Sequence, residues 1–265
     1  MNNLIHIKNA VVAEWLKSRG SRLLLTTALL PVLVTAIVFL LYYYTVGAES
    51  GAAPANPWPS LVSRTFNILC FVILPMAIIM ITSQSMQIEQ KANAWKQLLS
   101  YPAPRWTVIA GKYLFTLALV VSILLLIAPL SVLNGWLLGW IKPTLEFYAY
   151  GYDWGALTRA TLETLIATSS IFAVQFVLSW LLPNYTLPIL IGMFSTVVFS
   201  TLADGWSKSM YVPYAYPMLR VHYSRGNLNV ADWAGWPVFL WYSLLYFLII
   251  SVFVMYYSAY VKDKA

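Results

Sequence analysis

The chain is poor in the residues that do chemistry in water. Charged residues make up 9% of its 265 positions, with two histidines and one cysteine among them all. The lone Cys70 excludes an intrachain disulfide framework. His6 and His222 fall on opposite sides of the membrane in the topology drawn below, so no histidine pair can hold zinc. A phosphate-cradling loop needs a glycine-rich backbone ending in Lys and then Ser or Thr. Here Gly111-Lys112 is followed by Tyr113, and no glycine stands five residues before Gly111. The chain is therefore not expected to hydrolyse ATP by itself. It has no Gly-x-Ser-x-Gly elbow. No string of charges runs through its apolar segments, which argues against an ion-coupled carrier, and no inverted repeat is evident. No soluble stretch is long enough to fold alone.

What is abundant is apolar length. Hydrophobic residues reach 60%, with mean hydropathy +0.72, against about 45–50% for a soluble domain. Six runs are long enough to be read as membrane spans: residues 23–44, 65–82, 108–129, 157–178, 187–202 and 237–259. This predicts an all-α, multi-pass membrane protein forming a single domain over residues 1–265. The first run exceeds a signal-peptide core of ~7–15 residues and reads as an uncleaved span. The fifth is the shortest and extends back toward Leu181 through Pro183 and Pro188. After Pro129 the apolar run continues as a broken extension over residues 131–141, interrupted by Asn134, Gly135 and Gly139. Pro31, Pro75, Pro129 and Pro188 are kink candidates, either as plain bends or as gating points.

Charge sets the orientation. One side carries ten basic residues (Lys8, Lys17, Arg19, Arg22, Lys91, Lys96, Arg105, Lys112, Lys262, Lys264) against Glu14, Glu89 and Asp263. The other side balances six basic residues with six acidic ones. An excess of Lys and Arg marks the cytoplasmic side, so both termini are expected in the cytoplasm. The basic balance is thereby explained and gives no ground for a nucleic-acid partner. The pair Arg159 and Glu163, four residues apart near the outer end of the fourth span, can meet on one helix face.

Several segments lie outside the spans. Residues 1–20 place Leu4, Ile7, Val11 and Trp15 on one helical face, which suits a helix lying in the membrane interface. It is either a plain anchor or a lever attached to a cytosolic partner. Residues 86–101 place Ile88, Ala92, Trp95 and Leu99 at helical spacing, with Pro102 and Pro104 ending that helix. Trp95 is then either an anchor for a groove on a partner protein or a headgroup-level aromatic. On the outer side, residues 48–60 read as an extended, proline-rich loop, and residues 142–155 are aromatic. Residues 204–236 form the largest outer segment, either an aromatic belt or a lid of short broken helices.

The segment Glu89-x3-Asn93-x-Trp95-Lys96-x-Leu98-x3-Pro102-x2-Arg105-x6-Lys112 resembles the first cytoplasmic loop of ABC-2 type permeases, in particular the lantibiotic-immunity group. The resemblance implies a type V exporter-like permease fold in the cytoplasmic (inner) membrane. It implies two permease subunits, identical or related, with a separate ABC ATPase docked beneath each; ATP and magnesium would bind that partner, and this chain would hold no cofactor. Residues 1–20 would be the connecting helix and residues 86–101 the coupling helix. The outer segment 204–236 would form re-entrant helices. Carried over by position, Glu89, Asn93, Trp95, Lys96, Leu99 and Arg105 would contact or position the ATPase. Small and polar residues of spans two and five, namely Asn67, Thr82, Gly192, Ser195 and Thr196, are expected at the permease–permease interface. The function this suggests is expulsion of an antimicrobial peptide or another amphipathic molecule. The alternative is a non-transporting membrane anchor that recruits cytosolic partners.

Overall fold

In the computed structural model, which describes residues 2–48, 56–91, 105–182 and 184–260, nearly every long apolar run folds as helix. The helices are α1 (Asn2–Ser18), α2 (Arg22–Ala48), α3 (Pro57–Ile68), α4 (Leu74–Lys91), α5 (Arg105–Ile141), α6 (Trp154–Leu181), α7 (Thr186–Leu202), α8 (Tyr216–Ser224) and α9 (Val238–Tyr260). A π-helical turn, Leu69–Ile73, joins α3 to α4. Among the described residues five stretches are long and apolar enough to cross a membrane: Leu23–Thr45, Pro57–Ile88, Trp106–Ile141, Trp154–Leu181 and Val238–Tyr260. The remaining apolar helix, α7, has 17 residues. It rises about 25 Å, short of the ~30 Å hydrocarbon core.

Three expectations about boundaries are corrected. Residues 57–60 are helical rather than extended. Asn56 caps α3 by accepting from the Trp58 amide at 3.1 Å, and Pro57 occupies the first turn, where a missing N–H costs nothing. Residues 131–141 are not a broken extension, because α5 runs unbroken through Pro129 to Ile141. The supposed interruptions are packing positions. Asn134 Nδ2 donates to the Thr35 carbonyl of α2 at 2.7 Å, and a Cβ on Gly135 would stand 2.2 Å from the Trp58 ring. The fifth run does not reach back to Leu181 either, since α6 ends there and α7 opens at Thr186. Pro75 follows the π turn directly. It cannot donate to the carbonyl four residues back, and the ladder just ahead of it has already loosened to a five-residue bond, Leu74 N–H to the Leu69 carbonyl.

α5 and α6 are the centre of the bundle. α1 and α2 pack on α5, while α4 and α9 pack on α6, and α7 lies on α4. Leu25, Leu33, Leu125, Phe194 and Val252 are each more than half exposed. In water such a surface would aggregate; against lipid it is the expected exterior.

The segment after α7 folds back into the bundle. Two 3-10 turns, Ser207–Tyr211 and Pro213–Ala215, lead into α8. The Tyr214 hydroxyl donates to Gln175 Oε1 at 2.9 Å, deep along α6. Arg220 on α8 faces Glu163, and the Gly235 carbonyl accepts from Arg159 at 3.1 Å near the start of α6. Between the levels of Gln175 and Glu163 the chain thus climbs about 18 Å along α6. A two-residue hairpin, Asp232–Trp233 against Trp236–Pro237, closes the segment. Its turn holds Ala234 and Gly235 at positive φ, 53° and 79°, as a tight two-residue turn requires.

Candidate functional site

The loop singled out in the sequence is bracketed by described helix on both sides. α4 continues to Lys91, and α5 opens at Arg105. Glu89 and Arg105 are therefore on helical backbone, whereas Asn93, Trp95, Lys96 and Leu99 lie outside the described residues.

Immediately inside this bracket is a buried ion pair. Lys112 Nζ donates to Glu14 Oε2 at 2.6 Å and to the Ser85 carbonyl at 3.2 Å. Lys112 is fully buried and Glu14 is 5% exposed. Three elements meet at one ammonium group: α1 through Glu14, α4 through Ser85 and α5 through Lys112 itself. The second Glu14 oxygen accepts from Lys17 at 2.8 Å. Burial acts to push the Glu14 carboxyl up; the neighbouring Lys112 and Lys17 ammonium groups outweigh it and hold the group below its usual range. Around the pair the helices are in close contact. A Cβ on Gly111 would stand 2.5 Å from Ala10 Cβ, so only glycine lets α1 lie this near α5. Trp15 and Phe115 meet edge to face at 6.4 Å, and the Ser85 and Thr116 hydroxyls are bonded at 3.0 Å.

Ala10, Val11, Glu14 and Trp15 of α1 meet α5. Ile5, Val12, Trp15 and Leu16 stay exposed, so the apolar residues of α1 serve two surfaces rather than one. In the sequence Glu14 and Lys112 read as topological charges, with Lys112 also ending the Glu89-to-Lys112 motif, and their pairing is not foreseen. The signal was present: a carboxylate at helical spacing from Ile7 and Val11, and a lysine four residues inside an apolar run. Each is costly alone and tolerable as a pair.

At the far end of the bundle lies a second charged cluster. Glu163 Oε1 accepts from Arg159 Nε at 2.9 Å, the pairing foreseen from spacing. Its other oxygen faces Arg220 Nε at 3.5 Å. Arg220 also reaches Asn67 Oδ1 at 3.4 Å, which accepts from Ser224 at 3.1 Å. The Arg220 guanidinium lies over the Phe66 ring at 5.5 Å. Asn67 is thus engaged within the chain.

The other residues expected between permeases are also placed inside or at the edge of this bundle. The Thr82 hydroxyl is buried and bonded to the Ile78 carbonyl of its own helix, and Thr196 likewise to Gly192. A Cβ on Gly192 would stand 2.7 Å from Gln175 Oε1 and 2.9 Å from Ile79, so this glycine lets α7 close on α4 and α6. Ser195 is half-buried. The small-residue stripe of α7 packs within one chain.

The described residues thus form an apolar helical bundle with a polar clamp beside one loop and a segment folded back at the other end. The family model described as ABC-2 family transporter protein matches residues 10–199. The chain belongs to the ABC-2 transporter family. As an ABC-2 protein it is a multi-pass permease of an ABC transporter, a class that works with an ABC ATPase. The ABC-2 match takes in Glu14, Ser85, Lys112 and Glu163 and stops before α8 and Arg220. No curated protein matches the chain.

Proposed function

We propose that this ABC-2 permease is the non-catalytic membrane half of an exporter that expels an antimicrobial peptide of the lantibiotic type, or another amphipathic molecule, from the membrane. The end carrying α1 faces the cytoplasm, with six crossings and both termini inside. Two copies of a separate ATPase, loaded with ATP and magnesium, dock beneath two permease chains, identical or related. Residues 86–101 form the coupling helix, in which Glu89, Asn93, Trp95, Lys96, Leu99 and Arg105 meet the ATPase.

The observation that carries this reading is the Glu14–Lys112–Ser85 clamp. The two helices that flank the loop, α4 and α5, are joined at one buried ammonium, and α1 is joined to them there. A push on the loop therefore cannot move α4 without α5 and α1. Force applied from below enters the bundle as the tilt of one body, the input that alternating access needs.

The test is Trp95→Asp in the permease co-purified with its ATPase. Loss of complex assembly and of substrate-stimulated ATP hydrolysis is the expected result. Survival of both would show that the loop is not a coupling element.

A further inference from the structure

Polar atoms that are buried without a hydrogen bond are scarce in folded proteins, and each one calls for a reason. Among the described residues five such side-chain atoms occur, and three of them sit on the nine-residue α8: Tyr216 Oη, Arg220 Nε and His222 Nε2. Arg220 and His222 are 3% and 7% exposed. Each faces a carboxylate without hydrogen-bond geometry, Glu163 at 3.5 Å and Asp204 at 3.3 Å. The helix is therefore docked in a position that leaves its own polar groups poorly served, in contrast to the fully bonded clamp on α1.

The carboxylate that faces Arg220 has a better partner elsewhere. Glu163 is bonded to Arg159 at 2.9 Å, and the Arg159 side chain is half-exposed. If Arg220 leaves, Glu163 is not stranded as a bare charge in the bundle, which is the event that makes breaking a buried ion pair costly. Arg220 itself would move toward water. Beneath α8 lies Cys70, fully buried on the π turn, in one apolar cluster with Tyr216, Met218, Leu219 and Val221. α8 is the cover of that cluster, and Glu163 is what holds the cover by charge.

We propose that α8 is the outer gate of the permease, that the Glu163–Arg220 contact is its latch, and that Arg159 acts as the reserve partner that lets the latch open. Glu163 is on this account a positioning residue: it acts on the pathway through α8. The inference rests on the transporter reading above, including its orientation.

Cys70 is the chain's single cysteine and supplies the reporter. Right-side-out vesicles containing the permease with its ATPase are treated with the impermeant thiol reagent methanethiosulfonate ethyltrimethylammonium, and labelling of Cys70 is timed. The resting wild type should label slowly. Glu163→Gln and Arg220→Gln remove opposite charges from the surroundings of Cys70 yet both release the latch, so both should label faster by about tenfold, and Glu163→Asp should restore slow labelling. Arg220→Gln removes the latch from the α8 side and serves if Glu163→Gln fails to reach the membrane. Labelling of both variants at the wild-type rate would overturn the gate, as would labelling only in inside-out vesicles. Fast labelling in the variants, with ATP leaving the wild-type rate unchanged, would uphold the gate and count against an ATP-driven permease instead.

Discussion

At one end of the bundle Lys112 donates to Glu14 at 2.6 Å and to the Ser85 carbonyl at 3.2 Å; at the other, Arg220 reaches Glu163 at 3.5 Å and Asn67 at 3.4 Å. Both sites pair a buried cation with a buried carboxylate, and both carboxylates have a second basic neighbour four residues away or nearer, Lys17 and Arg159. They differ in how completely the inner cation is satisfied. Lys112 is short-bonded to two helices at once. Arg220 is held at the limit of contact and leaves its Nε unbonded. A charge pair in a low-dielectric setting is rigid when its hydrogen bonds are short and multiple, and easily released when they are long and few. The same chemistry thus makes a joint in one place and a latch in the other.

The largest effect is expected at Glu14. Glu14→Leu takes the Glu14 carboxylate away from the buried Lys112 ammonium and should cost about 3–5 kcal/mol, read as a lowered Tm of the detergent-solubilised permease. Acid should reach the same contact by another route. The Glu14 carboxyl is held below its usual range when folded, so its contribution is complete above the ordinary carboxylate value and is lost as pH falls through the lowered one. Protease sensitivity of α1 should therefore be flat through neutral pH and rise only below the ordinary carboxylate range. Lys112→Met should cost less than Glu14→Leu, about 1–3 kcal/mol, because Lys17 at 2.8 Å still neutralises the carboxylate. Pairing the two substitutions should recover most of the loss, and a thermal-melt double-mutant cycle would expose the coupling.

On the far side Glu163→Gln should cost only about 1–2 kcal/mol in the same melts, since Arg220 can relax toward water. A loss equal to that of Glu14→Leu would erase the distinction between joint and latch. Smallest of all, Asn134→Leu removes one bond between α2 and α5 and should shift stability by under about 1 kcal/mol.

Much of the architecture was legible in the residue pattern. Five of the six apolar runs lie in helices long and apolar enough to cross a membrane, and the spacing of Arg159 and Glu163 announced their pairing. Two kinds of feature were not legible. Helix-breaking residues mislead: Asn134 and Gly135 have the look of interruptions of α5, yet they are the points where α2 and Trp58 pack against it. Small residues carry a similar ambiguity: the spacing that points to an interface between permeases also suits Gly192 closing α7 on α4 and α6. Sequence spacing does not say which neighbour a small face meets. Contacts across long separations were also hidden. Glu14 and Lys112 are 98 positions apart, and Arg220 and Asn67 are 153 apart. Neither contact can be read from local spacing, because the folding that makes these residues neighbours is a property of the whole bundle.

The central claim is that the loop between α4 and α5 is gripped by an ATPase and that the clamp carries its motion upward. The most direct measurement is photo-crosslinking from position 95, with benzoylphenylalanine in place of Trp95, in membranes containing the permease and its ATPase. The expected result is a crosslink to the ATPase that changes in yield when ATP is added. Crosslinks to lipid alone, with or without ATP, would contradict it.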